Sequence, residues 1–259
     1  MKKVNKNDRV PLELEKYFEL NPNKNWEHFK DECQTGYKEV LREIKQNQGG
    51  VCCYCELTFH DERGIRDDFR VEHFHPKSDN YNSDINWNLI WTNLLGCCNG
   101  GSEKNILGGT RFISKQKHRH SDILKAEKDW DDEILNPLDI PAFPSLFKVN
   151  SNGEMKVLEE NCKSANINIL KAHNCLDEKK LNLNSPALCE WREAVLINLD
   201  DEIEKAFEIT EDYEEAISDT LAIYLSKDTN DNFQPFFTTI RSHFEEDAEE
   251  YLRKINYDG

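Results

Sequence analysis

The 48-residue stretch from Cys52 to Asn99 constrains this chain most. CCYCE (Cys52 to Glu56) opens it, VEHFHPKS (Val71 to Ser78) lies at its centre, and WTNLLGCCNGG (Trp91 to Gly101) closes around its end. Soft metal ligands sit at both ends, with a carboxylate–histidine pair and two asparagines between and after them. The rest of the chain reads as support for this stretch.

Cys52-x-x-Cys55 supplies two thiolates at the spacing that lets both reach one tetrahedral zinc. A lone CxxC is also the pattern of a redox pair, but no thioredoxin-like βαβ unit flanks it. It is equally the pattern of two buried cysteines that simply pack. A zinc ribbon would bring its second pair sooner: Cys97 comes 42 positions after Cys55, against roughly 15–20 in a ribbon. Four neighbouring cysteines also suit an iron–sulfur cluster, although the surrounding Asn and His favour zinc plus a hard cation.

Glu72-His73 is the minimum for a general base beside a metal ligand, and a surface histidine is the bland alternative. Lys77 follows as a candidate phosphate contact, against the ordinary reading of a solvated charge. Asn93 and Asn99 can orient a loop by accepting and donating at once, or offer an oxygen to Mg²⁺.

Composition narrows the class. The chain has 259 residues, a net charge of −17 and 32% charged residues, yet 13 Phe, 8 Tyr and 5 Trp remain for a core. A stand-alone nucleic-acid binder usually carries a basic face, so basic residues must cluster locally or a partner must supply them. The acidity also argues against anionic membranes. Nine cysteines, two pairs of them adjacent, make a poor disulfide framework and favour metal binding in a reducing compartment. MKKVNKNDRVPLE lacks the apolar segment of a secretory signal, and no apolar run approaches the ~20 residues needed to span a bilayer. A cytoplasmic protein is expected.

Along the chain, residues 1–25 read as an arm with little structure, being polar and interrupted by Pro11 and Pro22. Trp26, Phe29, Cys33, Tyr37, Val40, Leu41 and Ile44 predict one helix, stopped at Gly49-Gly50; Trp26 is expected to be a core anchor. Residues 57–70 suggest a hairpin or loop, VEHF a short strand, and residues 83–95 turns with a helical turn. Gly100, Gly101, Gly108 and Gly109 suggest a flexible, exposed segment leading into the basic patch Lys115 to Lys125. Asn152-Gly153 predicts a β-hairpin over residues 147–160. Ser185-Pro186 starts a helix, and two more follow, around residues 217–225 and 235–255.

The order CxxC, Glu-His, Asn-Leu, Cys-Asn resembles the HNH endonucleases, built on a ββα-metal (His-Me finger) element. More closely it is similar to the HNH nuclease subunit (PtuB) of Septu-type anti-phage systems, encoded beside an ABC-type ATPase and also found with retrons. WEHF before the knuckle, CxYCE, EHFHPKS, WTNLLGCCNGG, ILNPLD, LNLNSPAL with Trp191-Arg192, and FQPFFTTIR carry this resemblance over nearly the full length.

The resemblance implies an α+β, mostly helical fold: a zinc-knuckled HNH core over residues 48–135, an N-terminal arm and helix over 1–47, and a hairpin with acidic partner-docking helices over 136–259. It implies His73 as the base that deprotonates water and Asn93 as the residue holding its loop. Glu72 and Asn99 would hold catalytic Mg²⁺ or Mn²⁺, and Lys77 would meet substrate. Cys52, Cys55 and Cys98 would be structural Zn²⁺ ligands, with His120 as candidate fourth. Leu95 stands where many HNH proteins have a cysteine, and Ser121 where the family often has one in a His-Cys-Asp segment. The expected partners are an ABC-type ATPase (PtuA-like), a DNA or RNA substrate, and, in a retron, a reverse transcriptase with its nucleic acid. A catalytically idle, zinc-stapled docking subunit is the alternative. A CxxC oxidoreductase is the third reading.

Overall fold

The strand expected at VEHF is β1 (Arg70–His73), and it pairs antiparallel with β2 (Leu94–Cys97), Arg70 opposite Cys97 and His73 opposite Leu94. A computed structural model describes residues 1–7, 9–59, 68–78, 85–104 and 106–259, the side chains of 107 and 108 excepted. Most of the 57–70 segment, the start of the 83–95 segment and Gly108 as a side-chain position lie outside the described residues. Within them, Trp91–Asn93 form the expected helical turn, of 3₁₀ type.

Every residue of β2 is buried because elements cover it on both sides. Gln48, at the end of the helix before the knuckle, donates to the Gly96 carbonyl (2.9 Å) and accepts from the Gly96 amide (2.6 Å). A side chain at Gly96 would strike Phe69 and Ile44, so close packing demands glycine here. On the other side, the Cys53 amide also donates to the Gly96 carbonyl (3.0 Å).

The N-terminal arm is corrected. Leu12–Leu20 form α1, Leu14 and Tyr17 are buried, and Met1 and Val4 lie in the core. Pro11 stands just before the first helical turn, where its missing N–H costs nothing, and Pro22 lies beyond the last. The single helix expected from residue 25 is two: α2 (Trp26–Glu32) and α3 (Gln34–Asn47), broken at Cys33 (φ −126°, ψ 63°). The apolar stripe survives the break, since Trp26, Phe29, Val40 and Ile44 share one cluster with Leu14, Tyr17, Trp91 and Leu94.

The hairpin is present as β3 (Phe147–Val149) and β4 (Met155–Val157), with Gly153 at φ +74°. Five helices follow: α4 (Glu159–Ser164), α5 (Ile169–Leu176), α6 (Pro186–Thr210), α7 (Tyr213–Leu225) and α8 (Phe237–Lys254), the last kinked at Glu245. Pro186 opens α6, but Ser185 contributes no side-chain cap and its hydroxyl is buried without a partner. Among the described residues the fold is therefore mixed, roughly half helical with two small two-stranded sheets. Among the described residues no α-helix follows β2 before α4; 3₁₀ turns stand where the third part of a ββα element would begin.

Two further expectations change. Gly100 and Gly101 are buried, with φ +53° and +80°, and pack against the His120 carbonyl and Ile113. In the basic run, Lys115 and Lys117 are exposed, but Lys125 is completely buried.

The largest apolar cluster draws residues from Met1 to Phe236 and surrounds the CCYC turn. Glu56, at positive φ (63°) and buried, accepts from the Thr238 amide at the start of α8 (2.8 Å) and pairs with the Met1 ammonium (3.0 Å). The knuckle is thus fastened to residues 182 positions away along the chain.

Candidate active site and metal centre

Cys52 and Cys55 flank a tight turn, Cys98 follows β2, and His120 precedes a 3₁₀ turn (Ser121–Ile123). All four are buried, none more than 2% exposed. The Sγ atoms of Cys55 and Cys98 are 3.5 Å apart, and Cys98 Sγ lies 4.0 Å from His120 Nδ1. A tetrahedral zinc with Zn–S near 2.3 Å separates its ligands by roughly 3.8 Å, so the cluster could hold such an ion. Burial pushes His120 down to about 4, keeping it the neutral imidazole that ligation requires. Burial alone would raise the Cys52 pKa, but hydrogen bonds from the surrounding thiols pull it well below the usual value. Cys97 is also near, 3.7 Å from Cys52 Sγ, but its thiol donates to Asp122 Oδ1 (3.1 Å). That bond keeps a proton on Cys97 and favours Cys98 as the ligand. Ser121 Oγ sits 3.6 Å from Cys98 Sγ and 3.9 Å from Cys52 Sγ, inside the cluster.

His73 ends β1 with 7% of its surface exposed and its ring edge-on to Trp26, centroids 5.3 Å apart. Its Nε2 lies 3.2 Å from the Asn88 carbonyl. A carbonyl only accepts, so Nε2 carries the proton and Nδ1 keeps its lone pair. Burial lowers its pKa to about 4, the Asn88 contact opposing, so the ring is neutral near pH 7 as a base must be. Asn88 also donates to the Lys77 carbonyl (3.0 Å) and accepts from the Trp26 amide (3.3 Å).

Asn93 clamps the following loop: its Oδ1 accepts from the His75 amide (2.7 Å) and its Nδ2 donates to the His75 and Trp87 carbonyls (3.0 and 2.8 Å). Lys77 is half-buried beside Glu27, 3.4 Å away.

Glu72 and His73 point to opposite faces of β1, as adjacent strand residues do. Glu72 turns inward, pairing with Lys125 (2.9 Å) beneath Tyr54. Burial, with Asp122 close by, pushes its carboxyl well above the usual range, Lys125 opposing. Asn99 instead binds Asp68 through its amide and side chain (2.8 and 2.9 Å), and Asp68 pairs with Arg111. Glu72 and Asn99, expected to share one cation, each have a partner in the chain: Glu72 pairs with Lys125 and Asn99 with Asp68.

Several participants escape a reading of the sequence. Lys125 bridges Glu72 and the His73 carbonyl (3.0 Å), Asp122 receives Cys97 and Arg70 (Nε, 2.9 Å), and Asn88 holds the His73 ring. The one available signal was SDILK, where an acid and a lysine sit just after the candidate ligand His120. Trp26, expected only to anchor the core, also buttresses His73.

No helix among the described residues is long and apolar enough to cross a membrane, and no family model matches the sequence. The chain is 30% identical over 209 residues to a protein named "Retron Ec83 putative HNH endonuclease" of Escherichia coli, an alignment covering 76% of this chain and 80% of that protein. By that likeness the chain belongs to the HNH endonuclease family.

Proposed function

We propose that the chain is a metal-dependent endonuclease hydrolysing phosphodiester bonds in DNA or RNA, the effector of an anti-phage system that acts with an ABC-type ATPase. The observation that carries this reading is His73: neutral, its Nε2 proton committed to Asn88, its loop clamped by Asn93. Such a histidine can take a proton from water at Nδ1. A divalent cation would supply charge neutralisation at the scissile phosphate and leaving oxygen. Cys52, Cys55, Cys98 and His120 would hold Zn²⁺, whose chemistry here is structural. The retron named for the relative supports a place beside a reverse transcriptase and its nucleic acid. His73→Ala should lower cleavage by roughly 10²–10⁴-fold, with circular dichroism and zinc content unchanged; undiminished cutting by that variant refutes the assignment.

One observation favours a second reading. His73 is nearly closed off and the chain carries a charge of −17, as suits a subunit that docks and does not cut. The acidic helices α6 to α8 would then meet the ATPase in either case. Cleavage assays with and without the ATPase, on duplex DNA, single strands and tRNA with Mg²⁺ or Mn²⁺, separate the two. Mg²⁺-dependent cutting that disappears with His73→Ala excludes the idle subunit.

A further inference from the structure

A chain with 50 acidic and 33 basic residues keeps one stretch clear of carboxylates. No Asp or Glu stands between Glu103 and Asp122, whereas Lys104, Arg111, Lys115, Lys117 and Arg119 do. We propose that the turn over residues 115–119 is the surface on which this chain takes the sugar-phosphate backbone of a nucleic acid. The inference rests on the nuclease reading above and names the face that meets the substrate.

The turn presents its charge to solvent. Gln116–His118 form a 3₁₀ turn, and Ser114, Lys115, Gln116 and Lys117 are all exposed. No carboxylate among the described residues pairs with Lys115, Lys117 or Arg119. Elsewhere on the surface lysines are matched with acids, as in Lys16–Glu13 (3.0 Å), Lys24–Glu32 (2.7 Å), Lys163–Glu160 (2.6 Å) and Lys205–Glu202 (2.6 Å). The next acid along the chain, Asp122, is completely buried and committed to Arg70 and Cys97, so it does not neutralise the turn.

The turn is also held in place. Asn182, buried, donates to the Lys117 and Arg119 carbonyls (3.2 and 2.9 Å), and the Ser121 amide donates to the Leu181 carbonyl (2.8 Å). On the other flank the Ile113 amide donates to the Gly101 carbonyl (2.9 Å) and the His120 amide to the Gly100 carbonyl (3.3 Å). Those glycines directly follow Cys98 and Asn99, and His120 Nδ1 lies 4.0 Å from Cys98 Sγ. The cations are therefore carried on the cysteine knuckle, and a backbone already ordered costs little to order on binding.

The side-chain types choose the partner. Lys, Arg, Gln and Ser are donors to phosphate oxygens, contacts that set where a nucleic acid lies. A protein partner asks for an apolar centre and disfavours lysine, whereas every exposed side chain from Ser114 to Lys117 is polar. On a chain of net charge −17, a local cationic face draws a polyanion to one place while the rest of the charge opposes contact elsewhere.

The test follows binding of the zinc-loaded full chain to labelled duplex DNA, single-stranded DNA and tRNA by fluorescence anisotropy, from about 50 to 200 mM salt. Mg²⁺ and Mn²⁺ are left out so that nothing is cut. Lys115→Gln/Lys117→Gln removes two exposed cations and keeps the Asn182 bonds, which go to backbone. It should weaken duplex binding at least about tenfold at the low-salt end and flatten the slope of log K on log salt by about 1.8, from ~0.9 per lost phosphate contact. Lys16→Gln/Lys205→Gln makes the same change in net charge on α1 and α6 and should leave the slope unaltered. Zinc content and circular dichroism check that both variants fold; should the first not, Lys115→Gln alone should flatten the slope by about 0.9.

Failure of wild type to bind any of the three nucleic acids, an unchanged slope in the first variant, or an equal loss in the second overturns the proposal. So does a first variant that binds nucleic acid normally but no longer co-purifies with an ABC-type ATPase, since the turn is then a protein interface. If wild type cuts with Mg²⁺ and the first variant cuts with the same KM, the surface is wrong and the nuclease reading stands. If nucleic acid binds through the turn and is never cut, with or without the ATPase, the surface stands and that reading falls.

Discussion

Lys125 illustrates what a single residue does in a closed interior. Among the described residues its ammonium is the only counter-charge at hydrogen-bond distance from Glu72, and both are buried. Lys125→Met should destabilise the fold by about 3–5 kcal/mol, since it strands a buried charge. The double variant Lys125→Met/Glu72→Leu should recover most of that loss, read by urea denaturation. In the cysteine cluster, His120→Ala should release zinc and lower stability by on the order of 4 kcal/mol or more. Ser121→Cys, which adds a thiol inside the cluster, should keep the metal and strengthen the charge-transfer bands of a Co²⁺-substituted protein. That the cysteines come together with His120 was legible, because a ligand cluster depends on residue type and order. Lys125 was not, because a lysine in a basic run looks like every solvated lysine until the fold places an acid over it. The His75–Asp131 contact fails to show in sequence for a related reason: Asp131 stands 56 positions after His75, and only tertiary packing joins them.

Among elements, apolar spacing was the reliable guide. It located the stripe of α2 and α3 and helices α6 to α8, while the Asn152-Gly153 turn signal located the β3–β4 hairpin. Where it failed, a local event was responsible: the non-helical backbone of Cys33 breaks one helix into two without moving its apolar face. Similarly, the two prolines that made the N-terminal segment look irregular bracket α1. The hairpin offers a direct check. A Cβ at Gly153 would collide with the Cys189 carbonyl in α6, and its φ of +74° suits glycine alone. Gly153→Ala should therefore cost upwards of about 1–3 kcal/mol, measured as a fall in the midpoint of thermal unfolding, whereas a turn open to solvent would tolerate it.

Across the whole molecule the net charge is −17, yet a second lysine besides Lys125 is taken inside. Lys2 is 5% exposed, its ammonium on the Lys3 carbonyl (2.9 Å) and over the Phe233 ring (4.5 Å). Burial lowers its pKa to about 7, Glu56 opposing and Lys227 adding. The unfolded chain holds that proton up to about pH 10.4, so between about pH 7 and pH 10 the unfolded state binds more protons and stability rises with pH. Lys2→Met should remove that rising limb in stability curves recorded across the range, and raise stability at pH 6 to 7.

The tie between Glu56 and Thr238 has a consequence in time. A ribosome adding ~5–20 residues per second needs on the order of ten to forty seconds to travel from one to the other. During that interval the knuckle lacks the helix that closes over it, and His73 stands on an unfinished scaffold. Translation therefore imposes its own delay on assembly: the knuckle is fastened only after the start of α8, 182 positions further along, has been made.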